Sequence, residues 1–253
     1  MPSTFFGVNI ARSGMTTYNA WLNTTGHNIA NVKTDGYSKQ TVNQQASEAI
    51  ALGTSYGMLG SGVDAISIDS QRNIYYDNKY RMSNADYGKY KTANEYMTEI
   101  NDLLYARTSE TGSATNAMDL FLKMITEMST QTSNVSVRTQ TIGYADMMTQ
   151  YIREAADKLK SIQEDVNGQI ADTVDRINEY AQEIASLTQQ INTLEVYGNR
   201  ANDLRDQRAT ILDNLSELVD VNVLEKEPAD GKGLTQYIVS IDNAVLVDTY
   251  NVN

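Results

Sequence analysis

Between Ile152 and Leu194 apolar residues recur at steps of three and four: Ile152, Ala155, Leu159, Ile162, Val166, Ile170, Val174, Ile177, Ala181, Ile184, Leu187, Ile191 and Leu194. That spacing lines them up on one helical face built to lie against another helix. Four-residue steps follow one another from Ile162 to Val174, loosening the pattern toward an eleven-residue repeat, as a stutter does. No proline interrupts the stretch, and its one glycine, Gly168, costs roughly 1 kcal/mol against alanine. Opposite charges one turn apart, Glu154/Lys158 and Asp172/Arg176, fall on the wet side. Such a helix would span roughly 65 Å, against a diameter of roughly 46 Å for a compact globule of this length. The chain therefore reads as mainly α: an elongated, antiparallel, coiled-coil-like bundle of long helices, with other helices covering this one.

The rest of the chain reads in order as follows. Val8 to Ile29 is a helix with a thin stripe of Val8, Ala11, Met15, Tyr18, Leu22 and Thr25, diluted by small residues and marginal alone. Asn31 ends it in a left-handed conformation, Asp35-Gly36 turns, and Tyr37 to Val42 leads off as a strand. A glycine-rich loop, Gly53 to Gly62, feeds a short strand with Val63, Ile66 and Ile68. Ile74 to Tyr105 is helical, with Tyr90, Ala93, Met97, Ile100 and Leu104 on one stripe, and breaks around Gly112. Met118, Phe121, Ile125 and Met128 mark a shorter helix. Ser136 caps the long helix, which starts near Val137. After a turn near Gly198, Asn202 caps a helix carrying Leu204, Ile211, Leu215 and Leu218. Val219, Val221 and Val223 alternate as a strand, Asp230-Gly231-Lys232-Gly233 turns, and Tyr237 to Ile241 is a second strand before Ala244 to Val247. Small β parts are thus expected after the first helix and at the C-terminal end. The expected domains are 1–35, 36–220 with a β-loop at about 40–72, and the start of a β-rich segment at 221–253.

Two segments resemble a known family. Ala30, Asn31, Thr34, Gly36 and Tyr37 match the Ala-Asn-x-x-Thr-x-Gly-Tyr motif of bacterial flagellar axial proteins, with Asp35 where proline is common. The continuation Ser38-Lys39-Gln40 is similar to the Ser-Arg-Gln of the hook-associated family at the hook–filament junction, with lysine for arginine. The strand start Gly60-Ser-Gly62-Val63 also resembles that family. Ala201, Asn202, Asp203, Leu204, Asp206, Gln207 and Arg208 match its Ala-Asn-Asp-Leu-x-Asp-Gln-Arg segment. The first motif alone would also suit a hook or rod subunit, and the second favours the junction family. The resemblance implies a structural subunit exported through the flagellar type III channel to the outside of the cell. It also implies self-association in a helical array, with the hook protein and the next hook-associated protein as partners. Tyr37 and Asn31 would orient the N-terminal helix within that array, and family members continue into a larger β-rich region and a C-terminal helix.

The residues themselves offer little chemistry. A formal net charge of −12 argues against a nucleic-acid partner. No apolar run is long enough to span a bilayer, and the N-terminus lacks the parts of a cleaved signal. There is no cysteine. Sixteen tyrosines against three phenylalanines suit half-wet subunit interfaces. His27 is the single histidine, near a helix end, and reads as a structural or solvated group. Asn31-x-Lys33-x-Asp35-Gly36 fails as a calcium loop, with Lys33 at a ligand position and Val42 at the twelfth. Gly57-x-x-Gly60-x-Gly62 lacks the lysine of a phosphate loop and reads as loop flexibility. Asp203, Asp206 and Asp213, among Arg205 and Arg208, read as a solvated charged face. Met118, Met124, Met128, Met147 and Met148 read as core filler. No catalytic, cofactor or metal residues are predicted. A cell-wall glycan hydrolase would need two facing carboxylates roughly 5–9.5 Å apart, and no pair is singled out.

Overall fold

The structure, a computed structural model, describes residues 5–51, 57–105, 114–226, 234–242 and 244–253. The expected turn at Asp230–Gly233, the first four residues of the glycine-rich stretch (53–56) and the break around Gly112 lie outside these. In chain order the elements are α1 (Phe6–Ala30), β1 (Gln40–Ala46), β2 (Ile50–Ala51), β3 (Met58–Leu59) and β4 (Val63–Ser70). Then come α2 (Ile74–Tyr105), α3 (Ala114–Thr130), α4 (Val135–Glu195) and α5 (Asn202–Leu218). Four strands follow: β5 (Val221–Lys226), β6 (Gln236–Ile241), β7 (Ala244–Asp248) and β8 (Asn251–Val252). The fold class is the expected one: mainly helical, with small antiparallel sheets after α1 and at the C-terminal end. At 61 residues α4 is about 90 Å long, longer than its apolar stripe.

The chain divides into two compact units, Asp86–Arg176 and Met1–Ala85 with Ile177–Asn253. The first comprises the larger part of α2, α3 and most of α4. Ala117, Met124, Val137 and Ile162 are buried in it. Asn134, not Ser136, caps α4: its Oδ1 accepts the N–H groups of Ser136 and Val137, so the helix opens at Val135. Lys158 reaches Glu99 on α2 at 3.7 Å, while Glu154 accepts from Gln150. The anticipated Glu154/Lys158 pair therefore gives way to a contact between helices. Met124 is buried, but Met118 is exposed, so filler describes only part of the methionine set.

The long stripe is covered only in parts: Ile152, Leu159 and Leu194 are exposed, and so is the stretch of the stutter. Ile162 is 5% exposed, Ile170 57% and Val174 49%. Each step of four turns the stripe about 40° further than a full helical turn, so three in a row carry it about 120° round the helix. Continuous covering along the helix, expected from the spacing, is thus interrupted at Ile170 and Val174. Steps of three at Ile177 and Ile184 swing the stripe back.

In the second unit, Ala181, Ile184, Ala185 and Leu187 of α4 and Ile211, Leu212 and Leu215 of α5 form one core with Val221, Tyr237, Val239, Leu246 and Val247. The last five come from the antiparallel sheet β5-β6-β7-β8. Alternation along β5 buries Val221 and exposes Asn222 and Leu224. The same unit holds the β1–β4 hairpin, registered from Gln40↔Ser70 to Ala46↔Val63.

Helix α1 lies on that hairpin with an unexpected face. Its buried residues are Thr17 and Thr24, whereas Val8, Met15, Tyr18 and Leu22, the apolar stripe, point away from it. The contacts are polar: Thr17 Oγ1 donates to the Val63 carbonyl and Ser13 Oγ accepts the Val63 N–H. Gly62 sits at φ +123°, and a Cβ there would run into Ser13 Oγ. Close approach of helix and strand, not loop flexibility, is what requires this glycine. Nor does Asn31 end α1 left-handed. Its φ is −100°, its side chain and N–H both bond the His27 carbonyl, and the positive φ falls at Gly36.

Leu212, fully buried between α4 and the sheet, tests this core. Leu212→Ala is expected to destabilise its unit by about 2–5 kcal/mol in urea unfolding, whereas Leu224→Ala, exposed in the same unit, is expected to change it by less than about 1 kcal/mol.

Candidate functional site

The motif after α1 and the segment that opens α5 are more than 160 residues apart in sequence, and the fold brings them together. Asn28, in the last turn of α1, organises the first. Its Oδ1 accepts the Gln40 N–H at 2.9 Å and its Nδ2 donates to the Gln40 carbonyl at 2.8 Å, so one side chain pairs with β1 as a strand would. The Tyr37 hydroxyl donates to the same Oδ1 at 2.7 Å. Thr34 donates to Asn31 Oδ1, which tightens the turn. The strand begins at Gln40, three residues later than expected: the Tyr37 hydroxyl and the Ser38 N–H are bound by side chains of α1 and α5, and the Lys39 carbonyl accepts the Gln71 N–H.

From α5 the second segment reaches across. Asp206 Oδ2 accepts the Ser38 N–H at 2.8 Å, and Asp203 Oδ1 accepts from Gln40 Nε2 at 2.7 Å. His27 Nε2 lies 3.3 Å from the same Asp203 oxygen. Its Nδ1 faces Asn31 Nδ2 at 3.3 Å. Asn202 does not cap α5. Its side chain donates to the Ile68 carbonyl of β4, and no side chain bonds from the N-cap position, Ala201. The Ala201 N–H is met instead by Glu195, at the end of α4. Gly36, at φ +75°, comes so near α5 that a Cβ would meet Thr210 Oγ1. Leu204 packs against the core, while Ala30 and Gln207 are exposed.

The solvated-face reading of the three aspartates holds for Asp203 alone. Asp206 is buried and Asp213 half-buried, and both face arginines the sequence did not point to. Arg72 bonds Asp77 at 2.6 Å and approaches Asp206 at 3.5 Å and Asp213 at 3.6 Å; Arg81 bonds Asp213 at 2.8 Å. A second group lies behind α5. Arg205 grips Glu195 with two bonds, of 2.8 and 2.7 Å, and also reaches Glu225, which Arg208 shares. Arg208 stacks 3.5 Å over the Tyr237 ring. Burial raises the Asp206 carboxyl above its ordinary value, although the Ser38 N–H and Arg72 pull the other way. Burial pushes Glu195 up as well, but Arg205 and the Ala201 N–H outweigh it and hold that carboxyl below its ordinary value. Tyr37 is raised, by burial first and then by Asp203 and Asp206.

This arrangement fastens chain segments together. Among the described residues no group of three or more histidine, aspartate or glutamate side chains is placed to hold a metal ion. No helix among them is long and apolar enough to cross a membrane.

Long helices with small antiparallel sheets place the chain in a mainly helical class. Comparison then gives the family: residues 97–253 match the flagellar hook-associated protein FlgK helical domain, and the chain belongs to that family. It is 29% identical over 228 residues to flagellar hook-associated protein 1 of Bacillus subtilis (strain 168), covering 88% of this chain and 45% of the relative. With the protein of the same name from Escherichia coli (strain K12) it shares 30% identity over 219 residues, covering 85% and 39%. The chain thus spans less than half the length of these relatives. The flagellar hook junction protein FlgK of Burkholderia pseudomallei has a similar fold, with a TM-score of 0.53 at 21% identity over 70% of this chain and 29% of that one.

Two outcomes test the clasp. Gly36→Ala is expected to cost about 1–2 kcal/mol from its backbone conformation alone, plus a contact cost that shrinks in a Thr210→Ala background. An equal cost in both backgrounds, measured by thermal unfolding, would remove the close approach from the explanation. Glu195, with its folded value below 4.5, contributes stability that is present above pH 4.5 and lost as pH falls through that folded value. Asp206 acts oppositely, because its folded form takes up a proton before the unfolded one. Glu195→Gln should therefore flatten the acid limb of a stability–pH profile, and Asp206→Asn should steepen it.

Proposed function

We propose that this chain is a structural, non-catalytic subunit of the bacterial flagellum that joins hook to filament. In this reading it is exported through the flagellar type III channel and assembles outside the cell. Its partners are the hook protein, the next hook-associated protein and further copies of itself in a helical array. The observation that carries the reading is α1: a helix whose polar, small-residue face is used within the chain while Met15, Tyr18 and Leu22 point outward. Residues 1–35 act as the axial segment, and neighbouring subunits cover the outward stripe. Residues 36–220 act as the surrounding long-helix domain, and 221–253 open the β-rich segment.

Within this role, Ala30, Asn31, Thr34, Gly36, Tyr37, Ser38 and Gln40 set the direction of α1. The second segment, Ala201 to Leu204 with Asp206, Gln207 and Arg208, is the seat on which that direction is fixed. The ion pair of Arg72 with Asp206 supports the reading, because it ties the seat to the start of α2 as well.

The test is made in cells. Deletion of the gene should leave intact hooks without filaments in electron micrographs, whereas loss of the hook itself would assign the chain to a hook or rod role. Leu22→Asp should reproduce the missing filament while changing the unfolding free energy of the purified chain by less than about 0.5 kcal/mol. Normal filament numbers in that strain would overturn the outward-face assignment.

A further inference from the structure

We draw no further inference here: the strongest candidate, the apolar groove between the second half of α1 and the start of β1, lined by Trp21, Ile29, Val32 and Val42 among others, is an unpartnered face, and nothing in the structure shows what covers it.

Discussion

Asp206 is where three parts of the chain meet. One carboxylate oxygen accepts the Ser38 N–H and the other faces Arg72, so a single buried group joins the end of the N-terminal motif, the start of α2 and α5. Burying a carboxylate costs free energy, and the raised pKa is the sign of that cost. The group remains there because its partners are fixed. Ser38 is placed by the turn at Gly36, and Arg72 is anchored to Asp77. Removing any one of these would leave a buried charge less well matched, which is why the motif works as a set.

The helices were legible because their stripes are long. The spacing predicts a helix over Ile74 to Tyr105, as it stands, and the main stripe predicts one helix that outruns the rest. What could not be read was which side each helix uses. The apolar stripe of α1 is the side left outside, since hydroxyls and amides grip its other face. Periodicity reports that a helix has two faces, and only the neighbours decide which one is covered.

Local polar residues misled for a related reason. Ser136 and Asn202 have the chemistry of caps, yet Asn134 caps α4 and Asn202 spends its amide on β4. Asp206 and Asp213 looked solvated because Arg72 and Arg81 are more than 130 residues away along the chain. Both family segments were visible in the sequence, but not that they touch. That contact comes from pairing between distant segments, for which one sequence holds no spacing rule. Asp35-Gly36 predicts a turn, and the turn explains only half of the need for Gly36; the nearness of Thr210 is the other half.

The grip on α1 also settles an orientation. Ser13, Thr17 and Asn28 are bonded to particular atoms of the hairpin, at points spread along the helix. A rod pinned at several heights on one side cannot roll about its own axis. Whenever α1 is formed, the bearing of Met15, Tyr18 and Leu22 is set by the chain that carries them, and an incoming molecule meets a ridge already aimed.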